Sequence, residues 1–289
     1  MYQAKKSLGQ NFLKSEMVLR KIIEAGEIKK DDVVLEIGPG RGALTERLLE
    51  KSNHVIAVEK DRELFKFLET KFEKEIKNNT LILVCEDILK FNVKQNILGR
   101  TLECVRQGLT QYKIIANIPY NITGAILKKF LTEENQPTSM VLMVQHEVAQ
   151  RIIAQDKKES ILSISVKAYG EPKMIAKVDK RYFKPMPKVN SAIIAIKNIS
   201  RKNFPSLLVK EGAGDGDSKN HHPAFGTPPQ KGGEARFWEI VKKGFAHKRK
   251  KLSGNLKNLC QRDSLTVYAN KRAEDLTLGD WIKLVNLAG

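Results

Sequence analysis

Val33-Val34-Leu35-Glu36-Ile37-Gly38-Pro39-Gly40-Arg41-Gly42 is an apolar run that ends in a glycine-rich turn. A short β-branched run bounded by glycine and proline reads as a buried strand, and the helix expected from Leu44 to Lys51 follows at once. The same alternation continues along the chain. Val55–Val58, Leu81–Val84, Ile114–Ala116 and Met140–Val144 read as strands, with helices expected over about 62–75, 125–131 and 147–154. Strands that alternate with helices predict an α/β fold with a parallel sheet covered on both faces. Met174–Val178 and Ala192–Ile196 read as further strands, separated by a proline-marked loop.

Composition bounds the rest. The chain has 289 residues and a formal net charge of +18, enough length for a large domain and a small one. Such a charge points to a polyanionic partner, nucleic acid before membrane. No run has the length of a transmembrane helix, and the start of the chain leads into no signal core, so a cytoplasmic protein is expected. Cys85, Cys104 and Cys260 are scattered without metal-ligand spacing and are expected as reduced thiols, with Cys85 in the core. Residues 211–233 hold six glycines and three prolines and cannot bury a core. His221-His222 within them are expected to be solvated, and no metal site is expected. Residues 95–111 lose a clear period. The expected division is a catalytic domain over 1–207, a flexible insertion or linker over 208–233 and a small helical domain over 234–289.

Three strand ends carry candidate chemistry. The turn at Gly38 and Gly40 lets a ligand approach backbone and a helix N-terminus. Glu59 follows the second strand where an acid can take ribose hydroxyls, and Asp87 follows the third, where it could accept from an adenine amine. Asp31, Asp32 and Asp61 are expected to be helix caps. These features suit an adenosine ligand and leave NAD and S-adenosylmethionine both open. After the fourth strand comes Asn117-Ile118-Pro119-Tyr120: an amide that can accept from an exocyclic amine, a stiff turn, and a ring for stacking.

Taken in order, Gln10-Asn11-Phe12-Leu13, the segment from Glu36 to Gly42, Glu59, Asp87, Asn117-Ile118-Pro119-Tyr120 and the segment from Phe183 to Ser191 resemble the rRNA adenine N6-dimethyltransferases. The resemblance covers about residues 3–200 and resumes near Phe237. It implies a Rossmann-like S-adenosylmethionine-dependent methyltransferase fold with a small helical C-terminal domain. It further implies that Asn11 and Leu13 line the methionine end of the cofactor, Gly38 and Gly40 its turn, Glu59 the ribose and Asp87 the adenine. Asn117, with the carbonyl of Ile118 or Pro119, would accept the protons of the target amine. Tyr120 would stack on the base, with Phe183 on its other face. The segments Gln145–Arg151 and Phe245–Leu252 resemble the branch that dimethylates paired adenines near the 3′ end of small-subunit rRNA. The alternatives are the large-subunit enzymes that confer macrolide resistance and, in a different class, a non-catalytic assembly factor. The expected partner is small-subunit rRNA or a pre-30S-type particle, with no membrane and a monomeric protein.

Between Glu239 and Asp263 no acid occurs, while Lys242, Lys243, Lys248, Arg249, Lys250, Lys251, Lys257 and Arg262 crowd the segment. A helix of this pattern would offer cations to phosphates, and Lys242, Lys243, Lys248, Arg249, Lys250 and Lys251 are the candidate RNA-binding residues. Trp238 and Trp281 are expected to be core anchors rather than stacking platforms.

Overall fold

The computed structural model describes residues 4–5, 8–98, 111–204, 233–247, 249–257, 259, 266–268 and 270–287. The expectations for residues 208–232, Lys248, Cys104, Cys260 and most of 95–111 fall outside them. The chain divides into two compact units, Met1–Ile153 with Gly170–Ile199, and Ala154–Tyr169 with Ser200–Gly289.

In the first unit, strands β2 (Val33–Ile37), β3 (His54–Glu59), β4 (Leu81–Cys85), β5 (Tyr112–Asn117), β6 (Ser139–Gln145), β7 (Glu171–Val178) and β9 (Ser191–Lys197) form one sheet in the order β4-β3-β2-β5-β6-β9-β7. The first five run parallel. Strand β9 is antiparallel to β6, and β7 is antiparallel to β9, so the parallel sheet expected from the alternating strands is extended by two antiparallel ones. The connection from β7 to β9 carries a 3-10 turn and β8 but no crossover helix, and a return without a crossover gives antiparallel neighbours. Every residue of β2 is buried, as a central strand covered on both faces requires. A two-stranded ribbon pairs β1 (Phe12–Leu13) with β8 (Phe183–Lys184).

Helices α1 (Glu16–Gly26), α2 (Ala43–Leu49), α3 (Arg62–Lys71), α4 (Glu73–Lys77), α5 (Thr123–Thr132) and α6 (His146–Ile153) belong to this unit. The single helix expected over 62–75 is broken at Phe72, whose φ of −111° and ψ of 30° leave the helical region. Its ring lies where a Cβ on Gly42 would stand, only 2.5 Å away. Asp61 caps α3 by accepting from the amides of Glu63 and Leu64. Asp32 does not cap a helix; it accepts from Lys29 N–H at 2.7 Å and pairs with Lys113 at 2.8 Å in the turn before β2, where Asp31 is exposed. Cys85 is exposed rather than in the core, because β4 is an edge strand and Cys85 is its last residue.

The second unit contains α7 (Ile161–Lys167), α8 (Gly233–Gly244), α9 (Leu252–Leu256) and α10 (Leu278–Leu287). It draws in residues 154–169 and 200–204, which the expected 1–207 domain includes. Aromatic packing gives the reason: the Phe204 ring lies 5.0 Å from Tyr169 and 5.4 Å from Phe237, and Trp238 lies 5.0 Å from Phe237. Tyr169 donates its hydroxyl to the buried Glu234 at 2.5 Å. Trp238 and Trp281 are both buried core residues, 4% and 0% exposed.

Candidate active site

Open α/β sheets bind ligands where the strand order reverses, outside the carboxyl ends of the strands. Here the chain proceeds from β2 outward through β3 to β4, then returns to the other side of β2 for β5 and β6. The ends of β2 and β5 are therefore the ends that a ligand meets. A cavity of about 210 Å³ opens there, and Asn11, Leu13, Gly38, Gly40, Glu59, Asp87, Asn117, Pro119 and Tyr120 all line it. Residues expected to hold a cofactor and residues expected to hold a base thus share one cavity.

The glycine turn takes the shape its composition allows. Gly38 and Gly40 have φ of 65° and 60°, a region that L side chains rarely enter. A Cβ on Gly40 would meet the Phe12 ring at 3.0 Å. The turn is tied to β3: Gly38 N–H donates to the Val58 carbonyl at 2.9 Å and Gly40 N–H to Glu59 Oε2 at 3.1 Å. The other oxygen of Glu59 accepts from Asp61 N–H at 2.8 Å. Burial pushes this carboxyl upward in pKa, against the backbone donors that favour its charge. Asp87 differs, because Lys60 at 2.8 Å holds it below the usual carboxylate range. It also accepts from Leu89 N–H at 3.0 Å.

A further acid, Glu36, lines the cavity and is not among the expected site residues. It is 1% exposed, accepts the Thr45 hydroxyl at 2.6 Å, and burial with the nearby Glu59 pushes its pKa up to about 8. The signal lies in the strand itself: an acid inside an otherwise apolar central strand has no solvent to face.

The segment before α1 supplies another wall. Lys5 Nζ reaches Asp61 at 3.0 Å and Glu63 at 2.7 Å, and Gln10 Nε2 donates to Asp61 at 3.2 Å. Asn117 Nδ2 donates to the Asn11 carbonyl at 3.2 Å. That bond turns the nitrogen of the Asn117 amide toward Asn11, so its oxygen is the end that can accept from elsewhere. Pro119 has φ −61° and ψ 129°, and its carbonyl accepts from Ile122 N–H at 3.3 Å to close a turn of 3-10 helix over Tyr120–Ile122. The Tyr120 hydroxyl meets Ser191 Oγ at 2.5 Å. Burial raises the Tyr120 pKa, so the phenol stays protonated at neutral pH.

Phe183 does not join them. It is 4% exposed and packs in the core with Leu13, Leu19 and Val178, and it is not part of the cavity wall. Its pairing with Leu13 across the β1–β8 ribbon accounts for this. The basic segment also departs from expectation, because it is not one helix. Helix α8 stops at Gly244, where a Cβ would meet the Trp281 ring at 2.4 Å. Lys243, Arg249, Lys250 and Lys251 are exposed and Lys242 is half-buried; the last three of the exposed cations lie on the turn that leads into α9. Asn255 Nδ2 holds that turn by donating to the carbonyls of Gly244 and His247, at 2.6 and 3.2 Å.

Among the described residues no group of three or more His, Cys, Asp or Glu side chains could hold a metal ion, and no helix is long and apolar enough to cross a membrane. The sequence model of the family described as ribosomal RNA adenine dimethylase matches residues 1–210. Proteins named ribosomal RNA small subunit methyltransferase A from Dehalococcoides mccartyi and from Francisella tularensis subsp. novicida are each 36% identical over 98% of this chain, covering 87% and 97% of their own lengths. Among solved structures, the 23S rRNA methyltransferase ErmE has a TM-score of 0.72 at 22% identity, covering 96% of this chain and 99% of its own. A dimethyladenosine transferase from Plasmodium falciparum has a TM-score of 0.71 at 24% identity, covering 94% and 95%. At these identities the two structural likenesses show the fold, a Rossmann-like methyltransferase fold. With the family model spanning the catalytic motifs and the relatives spanning nearly the whole chain, this protein belongs to the ribosomal RNA adenine dimethylase family.

Proposed function

We propose that this enzyme transfers methyl groups from S-adenosylmethionine to N6 of two adjacent adenines near the 3′ end of small-subunit rRNA, during assembly of that subunit. The observation that carries the reading is the single cavity at the reversal of strand order, where the glycine turn and Glu59 face the same space as Asn117 and Tyr120. The names of the relatives, small subunit methyltransferases alignable over nearly the whole chain, favour this substrate over the large subunit. The likeness to ErmE is one of fold.

The cavity fits such a methyl donor. The ribose of the donor carries two hydroxyls, and Glu59 brings a buried carboxyl to the wall with no cation paired to it among the described residues. Gly38 and Gly40 would let the donor approach the backbone, Asn11 and Leu13 would line its methionine end and Asp87 would receive its adenine; all five line the cavity. When bound, the donor supplies a methyl group already activated by its sulfonium. The lone pair of the adenine amine is delocalised into the ring, so the protein's task is alignment rather than strong base catalysis. Asn117 Oδ1 and the carbonyl of Ile118 or Pro119 accept the two amine protons and favour the pyramidal nitrogen of the transition state. Tyr120 stacks on the base, which must be unpaired or flipped to reach it. The cationic turn at Arg249–Lys251, with Lys242 and Lys243 at the end of α8 and with Lys248, binds RNA phosphates. The protein acts as a cytoplasmic monomer on rRNA or a pre-30S-type particle.

Methyl transfer from labelled donor to isolated small and large subunits, followed by mapping of dimethyladenosine, tests the reading. Label confined to the large subunit overturns it. Asn117→Ala is expected to slow transfer by about 10²- to 10³-fold, as loss of a transition-state acceptor does, with donor affinity largely kept. Near-normal turnover would remove Asn117 from the alignment.

A further inference from the structure

The tip of the glycine turn carries a cation into a cavity wall that is mainly acidic. Gly42 N–H donates to the Pro39 carbonyl at 2.9 Å, which closes the turn with Gly40 and Arg41 at its tip. Lys71 Nζ donates to the Arg41 carbonyl at 2.9 Å and pairs with Glu46 at 2.9 Å, so α3 fixes the Arg41 backbone. The Arg41 guanidinium lies over the Phe12 ring, 5.2 Å from its centroid. That ring is seated on Gly40, where a Cβ would stand only 3.0 Å from it. Arg41 and Phe12 both line the cavity.

The neighbours of this cation give it a meaning. Phe12 is the residue between Asn11 and Leu13, the two read as lining the methionine end of the donor. The acids on the wall are Glu36, Glu59, Glu86 and Asp87, and among the described residues its cations are Arg41 and Lys60. Lys60 pairs with Asp87 at 2.8 Å, at the end read as receiving the adenine. A donor that ends in an α-carboxylate brings an anion to this wall, and an anion needs a cation beside it. Arg41 stands at the matching end. An exposed arginine is ordinary on a surface. One rested on an aromatic ring inside a ligand cavity, on a backbone pinned from a second element, is set for a ligand. Its paired N–H groups match the two oxygens of a carboxylate.

We propose that Arg41 binds the α-carboxylate of the methyl donor, with the Phe12 ring as its platform. The inference rests on the reading of S-adenosylmethionine as the donor and adds the group that holds its amino-acid end. The carboxylate takes no part in the transfer and is the same in donor and product. The contact is therefore equal in ground state and transition state: it lowers the KM for the donor and leaves kcat alone.

The test uses the full chain and titration calorimetry without RNA. The probes are S-adenosylhomocysteine and its decarboxylated form, in which hydrogen replaces the carboxylate. The wild type is expected to bind the first about tenfold more tightly, near the low end for hydrogen bonds to a charged group because Arg41 is exposed. Arg41→Gln is expected to bind S-adenosylhomocysteine about tenfold more weakly and the decarboxylated form no worse than the wild type, so the discrimination disappears. Arg41→Lys keeps about threefold of it, since an ammonium lacks the paired fork. In turnover Arg41→Gln raises the donor KM about tenfold with kcat unchanged. Equal weakening of both probes in Arg41→Gln would make the residue a support for Phe12 alone and overturn the inference, as would wild-type affinity for S-adenosylhomocysteine in that variant; either result leaves the donor assignment intact. A wild-type protein that binds neither S-adenosylmethionine nor S-adenosylhomocysteine overturns the donor assignment and this inference together.

Discussion

Glu36 makes a sharp prediction, because an acid buried in a central strand must either lose its charge or cost the fold its stability. Its carboxyl is 1% exposed and one oxygen accepts the Thr45 hydroxyl at 2.6 Å. Burial is the largest cause of a pKa raised from 4.5 to about 8, and Glu59 adds to it. The folded protein therefore holds a proton that the unfolded chain gives up, and stability falls as pH rises from about 4.5 to about 8. At about 1.4 kcal/mol per pH unit, the full fall is about 5 kcal/mol. About 3 kcal/mol of it lies between roughly pH 5.5 and 8.5, from the protons bound in each state. Glu36→Gln keeps an acceptor for Thr45 and has nothing to titrate. Its buried amide adds a cost that does not vary with pH. Glu59, also raised by burial, is present in both proteins and largely cancels from their difference. The assay is urea unfolding at several pH values, followed by far-ultraviolet circular dichroism. Tryptophan fluorescence serves separately, since Trp238 and Trp281 both lie in the second unit. The variant should gain about 3 kcal/mol on the wild type from roughly pH 5.5 to 8.5. Parallel stability curves would refute the reasoning, because they would mean that Glu36 is ionised in the folded protein at ordinary pH.

Tyr120→Phe and Ser191→Ala each remove one side of the same hydrogen bond. Each is expected to lower kcat by about 2- to 12-fold, the range of one neutral hydrogen bond, and the double variant to be no worse than either alone; additive losses would show that Ser191 does not act through Tyr120. Gly244→Ala should destabilise the second unit by about 1–3 kcal/mol through overpacking against Trp281; tryptophan fluorescence on heating reports it, and an unchanged melting temperature would place the ring elsewhere.

The strands from β2 to β6 are legible because each is a short apolar run between turn residues, and burial on both faces is written into such a run. The site residues at their ends are legible for a related reason. In a parallel sheet all the carboxyl ends face one way, so polar residues placed just after Ile37, Val58, Val84 and Ala116 converge by topology alone. What stays hidden in the sequence depends on partners far along the chain. Phe183 is expected beside the base only through the resemblance, since a hydrophobe next to a proline-rich turn can equally be packed; its pairing with Leu13 turns it inward. The break after α8 is set by Trp281, distant in sequence, which leaves no room for a side chain at Gly244. Cys85 follows the apolar Leu81–Val84 and so reads as core, but an apolar run does not reveal that its strand lies at the edge. Helix α1 is not among the helices expected from the sequence, although Val18, Leu19, Ile22 and Ile23 carry a helical apolar spacing.

The antiparallel strands at the far side of the sheet have a consequence for catalysis. A wholly parallel sheet would place only strand ends around the cavity, and the Tyr120 ring would hang from the 3-10 turn after β5 without support at its hydroxyl. Because β9 runs against β6, it begins where β6 ends, with Ser191 opposite Gln145. Its first residue therefore arrives at the ligand side of the sheet, buried and flanked by β7 at Val178. From there its hydroxyl fixes the phenol, while Asn11 fixes the Asn117 amide from its own segment before α1. The two groups assigned to the target base are each held by a partner outside their own segment. That arrangement suits a reaction whose barrier is lowered by alignment, since a side chain locked by its neighbours loses little freedom when the base arrives. Between Asn117 and Tyr120, Pro119 fixes the backbone at φ −61°, so the turn that joins the two side chains is itself stiff.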